Sequence, residues 1–240
     1  MTFLKTMVLQ VVVGLMVIGS SVYAEENSAR EIISKSYHYM GTLDQYAFDA
    51  TLGEDLLDEH NQWKTYKQRV KVKVDRPDKL RVDIKSEGKD RTSYLNNGVF
   101  TMVDHTFQYY GQIKTPKEID KALDYIFDKY GINAPLAALV YKDMQKRIHF
   151  TKSKYFGTKE VGGVLCDYVA FRNSQKELHL WIKHGDEPLV RSFTLIDRTI
   201  KEKPRTTAFI EWNTNPDFQS DTFTFVPTKG LMKISVESAK

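Results

Sequence analysis

The stretch YKQRVKVKVDRPDKLRVDIK, residues 66–85, decides the fold of this chain. Apolar residues alternate with lysine and arginine up to residue 74, and the alternation resumes at residue 80 after the turn Arg76-Pro77-Asp78. A period of two is typical of a β-strand with one buried and one solvated face. Because a short connection favours antiparallel neighbours, the stretch predicts two adjacent strands of an antiparallel sheet.

The same alternation continues on both sides of this stretch. It covers residues 46–52 and, further along, 164–171, and further strands are expected at 178–182, 189–196 and 206–212. Asn97-Gly98 lies between two apolar runs and predicts a tight hairpin. Residues 99–103 are apolar on both faces, so we expect them at the covered centre of the sheet. Phe223 and Phe225 predict a last short strand.

Three segments follow a helical pattern instead. Residues 26–40 predict an opening helix. Thr115-Pro116-Lys117-Glu118 has the form of a capping box and predicts a helix that ends at Gly131. A short helix is expected from Asn133 to Val140. Because grouped helices must cover one face of a sheet, the predicted fold class is α+β: a curved antiparallel sheet with an N-terminal helix and a helical lid inserted mid-chain.

The first 24 residues predict export. Lys5 precedes the apolar run 7–18, and Val22-Tyr23-Ala24 places small residues where a signal peptidase cleaves. The alternative is an uncleaved anchor, but a spanning helix needs about 20 apolar residues and this run is shorter. We therefore expect a signal peptide over 1–24 and a single domain over 25–240. A domain of this size can bury a core without disulfides.

Enzyme and metal signals are weak. The sequence has no Gly-x-Ser-x-Gly elbow, no His-Glu-x-x-His helix, no phosphate-binding glycine loop and no EF-hand loop. Cys166 is the only cysteine; its neighbour Asp167 points to the opposite strand face, so a buried thiol is favoured over a nucleophile. His179 is interpreted as a sheet-surface histidine, and the acidic cluster 54–60 as a solvated loop rather than a cation site. We expect no catalytic residues, metal or cofactor.

Four basic side chains of the opening stretch share one strand face and are spaced by about 6.5–7 Å. This basic strip consists of Lys67, Arg69, Lys71 and Lys73. Arg81 and Lys85 extend it if the next strand pairs alongside. One interpretation is a docking surface for anionic head groups or an acidic partner; the other is a solvated convex face protected against edge pairing. The net charge of +4 is too small to predict a nucleic-acid partner.

Several segments are similar to those of one bacterial family. They are Pro77–Val82, Tyr130–Leu136, Val161–Asp167, Leu180–Ile182, Gly185–Leu189 with Arg191, and Trp212-Asn213 with Phe223–Phe225. Together they resemble an uncharacterised family of predicted periplasmic proteins, domain of unknown function 2092, grouped with the LolA/LolB-like lipoprotein carriers. The resemblance implies a periplasmic, incomplete antiparallel β-barrel with an apolar concave side under helices. It carries over no catalytic residues.

We therefore expect a non-enzymatic periplasmic protein that binds an apolar ligand, either a lipid or the acyl chains of a lipoprotein. The predicted cavity lining is Phe100, Met102, Leu123, Phe127, Leu136 and Leu139. Each buried methylene would contribute about 0.8 kcal/mol to binding. The same residues can also fill a core, so the alternative is an envelope interaction or sensor module that binds a protein partner. We expect a monomer that contacts anionic membranes only transiently.

Overall fold

The structure, a computed structural model, describes residues 28–132 and 134–239. The predicted signal peptide, residues 1–24, lies outside the described residues, and so does Asn133. The predicted boundary of a single domain therefore stays a prediction.

The N-terminal half contains one helix followed by six strands. They are α1 (28–42), β1 (Gln45–Leu57), β2 (Trp63–Asp75), β3 (Lys79–Ser86), β4 (Lys89–Asn96), β5 (Val99–Asp104) and β6 (Tyr109–Lys114). Short helices come next: α2 (Ile119–Tyr130), a 3-10 turn (Ala137–Leu139) and α3 (Met144–Arg147). The remaining strands are β7 (Lys152–Val161), β8 (Val164–Arg172), β9 (Lys176–Lys183), β10 (Val190–Asp197), β11 (Arg205–Asn213) and β12 (Met232–Ile234).

The twelve strands of residues 28–132 and 134–239 form one curved, open sheet in the order β12-β6-β5-β4-β3-β2-β1-β11-β10-β9-β8-β7. Neighbours are antiparallel except β12, which pairs with β6 in parallel. The two halves of the chain meet where β1 pairs with β11, and Ala47 lies opposite Asn213 there. This architecture confirms the predicted α+β class with an N-terminal helix and helices inserted mid-chain.

The core lies on the concave side of the sheet. Alternate residues of β1 and β2 are buried there, as the period of two predicts: Tyr46, Phe48, Ala50, Leu52, Val70, Val72 and Val74. Buried residues of α1 and α2 belong to the same cluster. The Asn97-Gly98 hairpin is also confirmed, because both residues have the positive φ angles, 47° and 80°, of a tight β4–β5 turn.

The start of α2 differs from the prediction. The helix begins at Ile119, and the Thr115 hydroxyl donates a hydrogen bond to the Pro116 carbonyl at 3.0 Å instead of capping it. The Ile119 N–H donates to the carbonyl of Pro77 at 2.9 Å, so the β2–β3 turn positions this end of the helix. The predicted end is correct, since Gly131 has a φ of 64° and its N–H donates to Phe127.

The C-terminal segment also corrects two predictions. Residues 223–225 form no strand; Phe225 packs on the convex face, 4.8 Å from the ring of Tyr110, and the last strand is β12. Strand β5 lies third from an edge rather than at the centre. Thr101 and Val103 of β5 share the convex face, and both are buried. Their burial follows because the C-terminal segment covers the convex side of the nearby strands. Arg81 fixes the segment by donating to the Thr222 carbonyl at 3.2 Å.

Helices α1 to α3, in the described part of the chain, are all too short or too polar to cross a membrane.

Candidate ligand-binding cavity

The concave face of β1 to β5 is organised in cross-strand rows of paired residues. Row 1 is Tyr46, Val74, Leu80, Leu95 and Phe100; row 2 is Phe48, Val72, Val82, Ser93 and Met102. Row 3 is Ala50, Val70, Ile84, Arg91 and Asp104; row 4 consists of the pairs Leu52 with Gln68 and Ser86 with Lys89. Rows 1 and 2 are almost wholly apolar, and row 4 is mostly polar. The face therefore changes from apolar to polar along the strands.

A cavity of about 290 Å³ lies between these rows and the helices above them. Helix α2 contributes Leu123, Ile126 and Phe127 to its roof, and the segment after the helix contributes Leu136 and Val140. An apolar cavity of about 150 Å³ stays dry and binds benzene. The volume here is therefore sufficient for a larger apolar guest.

Five of the six predicted lining residues surround this one cavity: Phe100, Met102, Leu123, Phe127 and Leu136. Leu139 is buried but lies outside the lining, and its carbonyl accepts a hydrogen bond from the Tyr46 hydroxyl at 3.0 Å. The prediction missed the polar lining residues Glu54, Gln68, Lys89 and Arg91. Strand alternation carried a signal for Gln68, which shares a face with Val70. That any of these residues binds a ligand stays a prediction.

The row 1 end of the cavity is closed by a group of hydrogen bonds around Arg76. Its guanidinium donates to the Leu43 carbonyl at 3.1 Å and to the Val140 carbonyl at 2.7 Å, and Asp120 lies 3.7 Å away. The Arg76 side chain is only 6% exposed. Burial raises the pKa of Tyr46 to about 12, although Arg76 opposes the shift, so its phenol stays protonated as a donor. We call this group the Arg76 clasp.

A second group of charges joins α2 to α3. Asp124 of α2 accepts hydrogen bonds from the Tyr141 hydroxyl at 2.8 Å and from Arg147 of α3 at 2.7 and 3.0 Å. Arg147 also binds Asp143 and lies 3.9 Å from the centre of the Tyr141 ring. Burial alone would raise the pKa of Asp124, but Arg147 and Tyr141 outweigh it and hold that pKa below its usual value. We call this group the Asp124 cluster.

The opposite, row 4 end is half-buried and mostly polar, and it reaches solvent just beyond row 4. Tyr66, the next concave residue of β2, is 47% exposed, whereas Val74 in row 1 is fully buried. In row 3, Arg91 donates through Nε to Asp104 at 2.7 Å. Burial would raise the pKa of Asp104, but Arg91 and nearby backbone N–H groups lower it below its usual value. The mouth of the cavity therefore combines exposure with ionised side chains.

The basic strip lies on the convex face, away from the cavity. Arg81 pairs opposite Lys73 and Lys85 opposite Arg69, so the next strand extends the strip as predicted. Carboxylates partly neutralise it, since Asp49 is 3.3 Å from Lys71. Arg81 and Lys85 are likewise paired, with Asp83 and Asp90. Within the described residues, Lys67, Arg69 and Lys73 have no ion pair with a carboxylate. Docking on this strip stays a prediction.

Cys166 is fully buried in β8, and burial raises the pKa of its thiol. Asp167 faces the other side, where it accepts a hydrogen bond from the Tyr155 hydroxyl at 2.9 Å and pairs with His184 at 2.9 Å. The thiol and the Asp167–His184 pair are thus on opposite faces of the strand. This geometry does not assemble a cysteine nucleophile with a base.

The other titratable candidates have structural partners. His179 lies between the Tyr168 hydroxyl at 2.8 Å and Glu177 at 3.0 Å. In the acidic cluster, Asp58 accepts the backbone N–H of Gln62 at 2.8 Å and so shapes the β1–β2 turn. Over residues 28–132 and 134–239, no group of three or more His, Cys, Asp or Glu is arranged to hold a metal ion.

The profile of a family described as "Predicted periplasmic protein (DUF2092)" matches residues 29–237. The chain belongs to this family. The match confirms the resemblance noted in the sequence and the predicted periplasmic location. A search of curated proteins finds no significant match.

Solved structures provide a comparison of the fold of this family member. An uncharacterized conserved protein from Thermus thermophilus is 11% identical and aligns over 87% of this chain and 99% of its own, with a TM-score of 0.52. LprF from Mycobacterium bovis is 9% identical over 82% of this chain and 98% of its own, with a TM-score of 0.47. A LolA superfamily protein from Nitrosomonas europaea is 8% identical over 82% and 97%, with a TM-score of 0.39. The structural similarity to the Thermus thermophilus protein shows that the two proteins share a fold.

Proposed function

We propose that this periplasmic protein binds an apolar ligand, a lipid or the acyl chain of a lipoprotein, in the cavity under α2. The observation that carries the proposal is the cavity itself: about 290 Å³ of space on the apolar rows of the sheet. Hydrocarbon that moves from water into such a space gains about 0.8 kcal/mol per methylene. A carrier in the aqueous periplasm needs a shielded space of this kind.

The proposed role is binding without catalysis. Among the described residues, the cavity lining contains no cysteine and no histidine. The Asp167–His184 pair belongs to β8 and the β9–β10 turn, and neither residue lines the cavity. The lining therefore offers apolar contact and a few polar groups rather than a nucleophile with its base.

Loading and release would require α2 to move relative to the sheet. The helix is tied to its surroundings by the Asp124 cluster and by the Ile119–Pro77 hydrogen bond. These contacts are polar and lie at the first residue and near the middle of α2, while the roof residues Leu123 and Phe127 face the cavity. The proposed ligand thus lies beneath a helix that a few polar contacts hold in place.

A cavity-filling variant tests the proposal. Val82→Trp places an indole in row 2, and Leu165→Trp is the control because Leu165 is 52% exposed and outside the lining. Binding of the fluorescent apolar probe N-phenyl-1-naphthylamine should weaken at least about tenfold in Val82→Trp and stay unchanged in the control. Native mass spectrometry of protein isolated from the periplasm should show acyl chains bound to the wild type.

The alternative, an envelope interaction or sensor module, predicts different results. A wild-type protein that carries no acyl chain and does not bind the probe would contradict the carrier role. Equal probe binding by wild type and Val82→Trp would exclude this cavity as the site. Either result, together with a stable protein partner in pull-down experiments, would favour the module.

A further inference from the structure

We infer that the cavity takes a one-tailed amphiphile with an anionic head group, tail first, so that the head group lies between Lys89 and Arg91. The inference rests on the proposed function and adds the class and orientation of the ligand. It follows from the polarity of the rows, the closed end of the cavity, the charges at its mouth and its volume.

The polarity of the rows orients the ligand. Row 1 consists of buried residues such as Val74 and Leu95, and no charged side chain belongs to it. Row 4 offers the amide of Gln68 and the ammonium of Lys89. A buried polar head without hydrogen-bond partners is costly, so the head group belongs at row 4 and the tail at row 1.

The Arg76 clasp argues against the reverse orientation of the ligand, with its head group at row 1. The Nε and Nη2 groups of Arg76 are already used by the carbonyls of Leu43 and Val140, its Nη1 lies beside the carboxylate of Asp120, and the Tyr46 hydroxyl is used by the carbonyl of Leu139. A head group at this end would have to displace these hydrogen bonds. The ligand therefore enters from the row 4 end.

The charges at the mouth select an anion. Lys89 and Arg91 are two residues apart on one face of β4, about 6.5–7 Å along the strand, so one anionic group can reach both. Arg91 binds Asp104 only through Nε, and Lys89 has no ion pair among the described residues. Glu54, the acid of the lining, lies on β1, three strands away at about 14 Å. Because Asp104 neutralises Arg91, the net positive charge on the β4 side of the mouth comes from Lys89, and the Nη groups of Arg91 are left to donate hydrogen bonds to an anion.

The volume limits the ligand to one tail. A cavity of about 150 Å³ accommodates the six carbons of benzene. At about 290 Å³, this cavity has room for roughly twice that number, a chain of about a dozen carbons. A second chain of that length does not fit beside the first.

Calorimetric titration with dodecanoate and with dodecanol tests the inference, because the two ligands share a tail and differ in head charge. The variants are Lys89→Gln, which breaks no ion pair, and Lys89→Gln/Arg91→Gln. Lys85→Gln is the control, since Lys85 lies on the opposite face and pairs with Asp90. We expect the double variant to lose about tenfold in dodecanoate affinity and the single variant less, with dodecanol affinity unchanged in both. Native mass spectra should show one chain per protein.

The outcomes separate this inference from the proposed function. If both ligands bind and neither variant discriminates between them, the carrier role stands and the head-group site is wrong. Two dodecanoate chains in one protein would contradict the single tail. If neither ligand binds to the wild-type protein, the proposed function fails and the inference fails with it.

Discussion

At the scale of single residues, Arg76 is the side chain whose role depends most on distant parts of the chain. Its guanidinium joins the α1–β1 connection, the β2–β3 turn and the segment after the 3-10 turn through the carbonyls of Leu43 and Val140. Asp120 provides a partly buried counter-charge. Such a buried cation is tolerated because it has carbonyl acceptors and a carboxylate counter-charge.

We expect Arg76→Met to lower the free energy of unfolding by about 3 kcal/mol, because two carbonyls and Asp120 lose their buried partner. Urea denaturation measures this change. Arg69→Met is the control, since Arg69 lies on the exposed face of β2 and its replacement should change stability by less than about 0.5 kcal/mol. Equal effects of the two substitutions would show that the Arg76 clasp does not stabilise the fold.

The sequence predicted the neighbours of Arg76 but not its role. Alternation from Val70 to Val74 is a local property, and it located both the strand and its buried face. Arg76 was interpreted only as part of a turn with Pro77 and Asp78. Its burial depends on carbonyls of residues 43 and 140, and no local pattern connects those positions to it.

At the scale of elements, the attachment of α2 to α3 depends on ionised carboxylates. Asp124 is charged in its hydrogen bonds with Arg147, and its pKa is held below the usual value. A carboxyl group of this kind stabilises the fold above its unfolded pKa of about 4, and the contribution is lost as the pH falls through the lower, folded pKa. The helix pair should therefore loosen in acid.

Asp124→Asn should be less stable than wild type at pH 6, and the difference should shrink as the pH falls below about 4. Urea denaturation at pH 6 and pH 3 measures both values. Asp128→Asn is the control because Asp128 lies one turn further along α2 and has no ion pair within the described residues. A difference that is constant with pH would contradict an ionised Asp124.

Strands β6, β7 and β12 escaped prediction, and the patterns of β6 and β7 are irregular. In β7 the register shifts between Tyr155 and Thr158, and Gly157 there has a φ of 81°, so the alternation is interrupted. Strand β6 has only six residues and contains Gly111, against which Val236 packs. The predicted capping box before α2 was wrong for a different reason. The carbonyl of Pro77, which is distant in sequence, accepts the first helical N–H and sets the start of the helix.

At the scale of the whole molecule, the sheet separates two chemistries. The apolar cavity is on the concave face, and the basic strip is on the convex face between the covered β4–β6 region and β11. Sequence alternation predicted which residues belong to each face. It left open whether the concave residues fill their own interior, because the same side chains build a packed core or a cavity.

Reversing the charge of the strip tests whether it docks on membranes. Arg69→Glu/Lys73→Glu should reduce binding to vesicles that contain anionic phosphatidylglycerol, because each basic residue near such a surface contributes about 1 kcal/mol. Lys201→Glu/Lys203→Glu, in the β10–β11 turn, is a control of equal charge change. Vesicle co-sedimentation at low and high salt measures the effect. If the two double variants bind equally, net charge rather than the strip governs adsorption.

The pairing of β1 with β11 has a consequence for how the chain reaches its compartment. β1 is made early, but one of its two hydrogen-bonding partners comes near the end of synthesis. The β1–β11 pair at the centre of the sheet therefore cannot form until almost all of the polypeptide has crossed the membrane. Bringing β1 and β11 together closes a long loop of chain, and the entropic cost of this closure precedes the gain from their contacts. We therefore expect this topology to slow folding, which would favour export of the chain in an unfolded form.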